Sequence, residues 1–181
     1  MTPSQLEKGQ TFRVLHEGEP FVTPNPWDAG SARALAKLGF QALASTSGGF
    51  AETLGRSDGE VSLDEVVEHA GALDRATDLP VSMDLENGFG PAPADAALAI
   101  SSVAAAGAVG GSIEDWDRDG SFIYELELGA DRVAAAADAA GALDFPFTLT
   151  ARAENHFRGN PDLDDTIRRI QAYEAAGADV L

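Results

Sequence analysis

Short apolar runs rich in β-branched and aromatic residues alternate along the chain with longer, Ala-rich stretches of helical period. The runs occupy residues 20–23, 41–45, 80–84, 109–113 and 145–150, and a sixth begins at 178–181. Between them, apolar positions recurring at helical spacing predict helices over 28–38, 62–77, 92–106, 124–141 and 162–176. The runs are continuous rather than alternating, which suits parallel strands buried on both faces.

Local punctuation supports this division. Leu38-Gly39-Phe40, Ala106-Gly107-Ala108 and Ala176-Gly177-Ala178 each place Gly after a helical run and before a strand. Gly there tolerates the left-handed backbone that ends a helix. Ser62 and Glu65 have the spacing of a capping box. Asn160-Pro161 predicts a helix start with Pro at the first helical position.

Strict β-α alternation leaves two architectures, an open doubly wound sheet or a closed (β/α)8 barrel. A dinucleotide-binding sheet carries a Gly-rich fingerprint after its first strand, and residues 24–30, Pro-Asn-Pro-Trp-Asp-Ala-Gly, are not one. Polar residues instead gather at the C-terminal ends of five predicted strands, where barrel enzymes build their sites. A barrel needs eight strands and about 250 residues. The expectation is a single barrel domain over 1–181, incomplete at its C-terminal end within the sixth strand.

Composition narrows the function. The 181 residues carry 30 Asp and Glu against 12 Lys and Arg, a net charge of −18, which argues against a nucleic-acid partner. No contiguous acidic block marks an interaction tail. There is no cysteine, hence neither a disulfide framework nor thiolate chemistry. No run approaches the roughly 18 apolar residues of a membrane span. The first residues lack a basic region followed by an apolar one, so a cytoplasmic location is expected.

The chemistry-bearing residues lie where strands end. In Asp84-Leu85-Glu86, residues i and i+2 of a strand share a face, so the spacing predicts two convergent carboxylates beside a Gly turn. Such a pair suits a hydrated hard cation, and equally a solvated strand end. Ser112 and Glu114 share a face on the next strand, which turns Asp115 the other way as a cap or brace. Arg152, two residues before Glu154, offers a planar fork for a substrate carboxylate or a structural ion pair with Glu154 or Glu114. Ser45-Thr46-Ser47-Gly48-Gly49 reads as a turn whose successive N–H groups could cradle an anion, and Asp58 as a turn former. His16 and His69 read as surface or boundary residues, His156 follows the Arg152 strand, and Trp27 and Trp116 fall near the expected mouth.

Taken together, residues 25–32, 45–49, 58–59, 84–90, 112–115 and 151–154 resemble the phosphoenolpyruvate mutase/isocitrate lyase superfamily in order and spacing. The resemblance implies a (β/α)8 barrel, oligomeric through exchange of its last helix. It implies Mg²⁺ stabilising the enolate of a small oxyacid while a C–C or P–C bond is made or broken. By position it assigns Asp84, Glu86 and Glu114 to Mg²⁺ and Asp58 to its hydration shell. Ser47, Gly48 and Gly49 would hold the substrate's carboxylate and keto oxygen, and Arg152 would pair with a carboxylate.

Two departures stand out. Glu86 falls where many members carry Asp, and residues 115–122 contain neither the Lys nor the Cys of the family's lyase loop. A C–C lyase is therefore expected first, a phosphonopyruvate-type mutase or hydrolase second. A non-catalytic barrel that has lost its loop is the reading from another class.

Overall fold

The computed structural model describes residues 2–181. Along the chain come α1 (Gln5–His16), α2 (Ala29–Lys37), β1 (Leu43–Ala44), α3 (Ser47–Thr53), α4 (Leu63–Ala76), β2 (Val81–Asp84) and α5 (Pro93–Ala105). Then follow β3 (Gly110–Glu114), β4 (Trp116–Asp117), β5 (Phe122–Ile123), α6 (Leu126–Gly141), β6 (Thr148–Arg152) and α7 (Leu163–Ala175).

The main sheet is parallel, in the order β1-β2-β3-β6, and Thr150 makes a further parallel bridge to Val180. Set aside the β4–β5 hairpin and this order follows the chain without reversal. A doubly wound sheet reverses its order and carries helices on both faces. Right-handed crossovers that always step the same way put every crossover helix on one side. The sheet is thus an arc of barrel wall, and strand order decides what periodicity left open.

The two faces of the arc differ. Val81, Met83, Leu85, Ile113, Leu149 and Ala151 are at most 2% exposed and belong to one core with Leu73, Ile100, Val103 and Val133 of the outer helices. Burying each large side chain contributes roughly 1.5–3 kcal/mol, enough to fix which face the helices cover. The intervening residues Ser82, Ser112 and Thr150 line an inner cavity of about 530 Å³ that Phe12 and Phe21 help to close. The strands therefore alternate apolar and small polar positions, where unbroken apolar runs were expected. Gly110 lets α1 approach: a Cβ there would stand 2.7 Å from the Phe12 ring.

Gly39, Gly107 and Gly177 have φ of 91°, 117° and 105°, the left-handed helix ends that the pattern predicts. The Ser62–Glu65 capping box forms, with Ser62 N donating to Glu65 Oε2 at 3.0 Å. Elsewhere the structure corrects the expectations. Residues 20–23 form no strand; Ala44 N donates to Pro24 O at 3.2 Å, but Pro20, Pro24 and Pro26 have no N–H with which to build a ladder. The last helix starts at Leu163, capped by Asp162, and Pro161 stays outside it. Asp162 accepts the Asp164 and Asp165 N–H groups, which an Asn160 cap two residues earlier could not reach.

The bounds of α1 were not predicted, and the short helix α3 and the hairpin of β4 with β5 were not expected. His69 is buried rather than at a boundary, stacked on Phe50 at 3.9 Å, and burial pushes its pKa down to about 4. Among the described residues no helix is long and apolar enough to cross a membrane.

Candidate active site

At the C-terminal ends of the strands lies a cleft of about 560 Å³ whose lining includes Ser47, Asp58, Asp84, Glu86, Glu114 and Arg152. Asp84 is the best fixed of these. Its N–H donates to Ser45 Oγ at 2.8 Å, while its carboxylate accepts Ser47 N at 3.0 Å and Glu86 N at 3.2 Å. Those bonds tie the end of β1 and the start of α3 to β2. The segment read as a Ser/Gly turn is in fact helical from Ser47, with Thr46 as its cap. Asp58 comes from the loop that follows, and its carboxyl carbon would be 3.5 Å from a Cβ on Gly48. Gly49 packs against the Trp27 indole, so closely that a Cβ there would lie 2.6 Å from its Nε1.

Glu86 reaches the cleft by a route that alternation does not predict. β2 ends at Asp84, Leu85 is fully buried, and Glu86 adopts a left-handed φ of 49°. A non-Gly residue held there costs of order 1–3 kcal/mol, and such strain concentrates at functional sites. Glu114 arrives on β3 in register with Arg152 of β6, as its strand position predicts.

Three guanidiniums face these acids. Arg118, at the tip of the β4–β5 hairpin, pairs with Glu86. Arg152 donates to Glu154 at 2.6 Å and stands 3.4 Å from Glu114 and 3.8 Å from Asp84, so the ion pairs left open for it do form. Arg158 lies 3.5 Å from Glu154, 4.0 Å from Glu114, and 4.6 Å above the Trp116 ring. Sequence reasoning singled out neither Arg118 nor Arg158. The only local signal was the i,i+4 spacing of Glu154 and Arg158; Arg118 meets Glu86 across 32 residues.

The acids outnumber the guanidiniums, and the electrostatics follow. Burial, with Asp58 and Asp84 nearby, pushes the Glu86 carboxyl up to about 7 against the pull of Arg118. Burial and Glu154 push Glu114 up to about 7, with Asp84 adding to the rise and Arg152 and Arg158 opposing it. Among the described residues no three carboxylates or imidazoles are grouped closely enough to hold a bare metal ion. A hydrated Mg²⁺ asks for less, one or two carboxylates with waters completing an octahedron. The all-oxygen donors and the excess negative charge fit that ion.

Behind the cleft lies a second set of polar residues, bonded to one another except at the buried Arg132 Nε. Asp115 accepts Glu154 N at 2.8 Å, Tyr173 Oη at 2.6 Å and the Arg169 guanidinium at 3.2 Å. Tyr124 Oη donates to Asp117 at 2.7 Å and accepts from Asn87, while Arg132 lies over its ring and donates to the Asn87 carbonyl. This layer joins the β2 loop, the hairpin, β6 and α7, and so holds the cleft's walls in place.

The phosphoenolpyruvate phosphomutase family model matches residues 12–181. The 2-methylisocitrate lyase of Escherichia coli K12 is 32% identical over 183 residues, which cover 96% of this chain and 60% of that protein. The oxaloacetate decarboxylase of Chromohalobacter salexigens is 30% identical over 189 residues, covering 99% and 64%. The chain thus spans less than two thirds of these relatives' lengths. Among solved structures, a Burkholderia cenocepacia J2315 protein, assigned no further than lyase/mutase, superposes with a TM-score of 0.93 at 53% identity, covering 97% of this chain and 63% of that one. A phosphonopyruvate hydrolase with oxalate and Mg²⁺ is 26% identical, with a TM-score of 0.88 and coverage of 95% and 61%. An oxaloacetate acetylhydrolase with the inhibitor 3,3-difluorooxalacetate is also 26% identical, with a TM-score of 0.85 and coverage of 95% and 62%.

Proposed function

The chain belongs to the phosphoenolpyruvate phosphomutase family, and on that premise we propose that it is a Mg²⁺-dependent enzyme that cleaves a C–C bond of a small 2-oxo or hydroxy acid through its enolate. The observation that carries this reading is the cleft itself. Asp58, Asp84, Glu86 and Glu114 line it and Glu154 lies behind Arg152, so five carboxyl groups stand against three guanidiniums. A divalent cation balances that excess and lets an acidic substrate enter a carboxylate-lined pocket.

In this reading Asp84, Glu86 and Glu114 hold Mg²⁺, partly through water, and Asp58 hydrogen-bonds its hydration shell. When bound, the ion supplies a Lewis acid that stabilises negative charge on the enolate oxygen. The chain's own groups do the rest. Ser47 N–H is engaged by Asp84 and Gly49 N–H by the Thr46 cap at 3.3 Å, which leaves the Ser47 hydroxyl and the Gly48 N–H, without Gly49, to take the substrate's carboxylate and keto oxygen. Arg152, held by Glu154, orients a carboxylate with its remaining donors. As the C–C bond breaks, its electron pair passes into the enolate, and these fixed donors meet charge where it develops. The other fragment leaves as CO2 or, once its hydroxyl proton has passed to a base or water, as a carbonyl compound. Relatives named as a lyase and a decarboxylase favour C–C over P–C cleavage.

The test is turnover of oxaloacetate, 2-methylisocitrate and phosphonopyruvate, with Mg²⁺ and with EDTA. Mg²⁺-dependent cleavage of one of the two carbon acids is expected. Turnover of phosphonopyruvate alone would move the protein to the mutase and hydrolase branch. No turnover of any of the three would favour a non-catalytic barrel.

A further inference from the structure

The three arginines of the cleft differ in what their donors already do. Arg118 is paired with Glu86 and lies across Gly59, where φ is 90° and the missing side chain leaves it room. Arg152 has a 2.6 Å bond to Glu154. Arg158 touches its nearest carboxylates only at 3.5 and 4.0 Å, and among the described residues its guanidinium makes no hydrogen bond. A side chain serving merely as a counterion would gain by closing to bonding distance, and this one, 38% exposed, has not.

Arg158 is nonetheless held firmly. Its guanidinium stacks 4.6 Å above Trp116, and its backbone N–H donates to Glu154 O at 3.1 Å. The turn around it is pinned by Asn155, fully buried, whose Nδ2 donates to Asn160 O at 3.1 Å and Asp162 O at 3.2 Å. A positioned, planar set of free N–H donors in an acid-binding cleft is a receptor for an anion that the protein itself does not supply.

We propose that Arg158 is a specificity residue that binds a second, distal carboxylate of the substrate, so that the cleft selects 2-oxo acids that carry one over those that do not. This rests on the enolate-binding reading above: Mg²⁺, Ser47 and Arg152 hold the 2-oxo acid end, and Arg158 reads what extends beyond it.

Two probes separate the two ideas. Oxalate offers only the end that the metal and Ser47 would hold, whereas 3,3-difluorooxalacetate adds a carboxylate beyond a CF2 carbon. Both are titrated calorimetrically into the Mg²⁺-saturated protein and its Arg158→Ala variant, with thermal midpoints confirming the fold. The variant should lose on the order of 10- to 100-fold in affinity for 3,3-difluorooxalacetate while oxalate stays within about twofold. Arg158→Lys should recover only part of the loss, because it keeps the charge without the fork. Equal weakening of both probes, or of neither, overturns the assignment while leaving the enolate site standing. Failure of wild type to bind oxalate with Mg²⁺ overturns the site, and the assignment with it.

Discussion

Glu114 and Asp115 are neighbours at the end of one strand, and they live in opposite worlds. Asp115 faces the helices, is 3% exposed, and its two oxygens accept three hydrogen bonds from Glu154, Tyr173 and Arg169. Glu114 faces the cleft, and among the described residues its carboxylate accepts no hydrogen bond, only guanidiniums at 3.4 and 4.0 Å. Both are acids beside arginines, so charge does not separate them. Satisfaction does. A buried acid whose lone pairs are all engaged is a joint between elements, whereas one left short of donors and crowded by like charge is poised for a ligand.

The largest expected effect tests the joint. Asp115→Ala leaves the Arg169 guanidinium buried beside an empty place and frees the Glu154 N–H. Arg169 keeps Asp165 at 2.9 Å, so the cost is that of buried donors left without an acceptor, about 1–3 kcal/mol for each, to be read as a lower denaturant midpoint. Glu114→Gln, one residue away, should cost nothing and raise stability slightly at neutral pH in EDTA. If the two variants lose equal stability, the contrast between joint and site is wrong.

The next effect is a pH dependence. The folded-state pKa of Glu86 and of Glu114 is raised from 4.5 to about 7. Between those values the folded protein binds more protons than the unfolded chain. The stability they contribute is therefore fully present below about 4.5 and is lost as pH rises through about 7. At about 1.4 kcal/mol per pKa unit, the loss in EDTA should be roughly 3 kcal/mol for each carboxyl. His69 works the other way: its pKa is depressed to about 4, so its contribution is lost as pH falls from 6.5. The useful quantity is therefore wild type minus the Glu86→Gln/Glu114→Gln double variant, measured by denaturation across this range. With Mg²⁺ that difference should turn in favour of wild type as pH rises, since the cation binds the ionised pair and the double variant lacks it. A difference that is flat in EDTA would mean that the cleft does not crowd its acids.

Much of this arrangement was legible before any coordinates, and the reasons are local. Period and Gly placement located α2, α4, α5, α6 and α7, because helix ends are set by neighbours within a few residues. The carboxylates at 84, 86 and 114 and the guanidinium at 152 were visible as polar residues closing apolar strands. Asp115 was turned away from Glu114 by strand alternation alone. What stayed hidden was either very short or long-range. Helix α3 was masked by Gly48 and Gly49, which look like turn residues until Thr46 caps them into a helix. Helix α1 has a weak apolar stripe, although its Ser4–Glu7 capping box was there to be read. Strands of two residues, such as β4 and β5, carry too little pattern to register. Arg118 joins the site only because the hairpin folds over Gly59, a contact that spacing cannot announce.

The smallest effect bears on the residue that stands between the two classes. Arg152 is engaged like a joint, through Glu154 at 2.6 Å, yet it lines the cleft and is 42% exposed on its side chain. Arg152→Lys separates the roles because it keeps the charge and removes the fork. If Arg152 orients the substrate, lysine can satisfy Glu154 or the substrate but not both with the same geometry. The loss of one charge-assisted bond should then lower kcat/KM about tenfold, near 1.5 kcal/mol, at saturating Mg²⁺ and with little change in melting temperature. If Arg152 only braces Glu154 and Glu114, kcat/KM should hold while the midpoint of unfolding falls. The second outcome would move Arg152 to Asp115's side of the comparison. Arg158 would then be the cleft's remaining guanidinium with donors free for a substrate carboxylate.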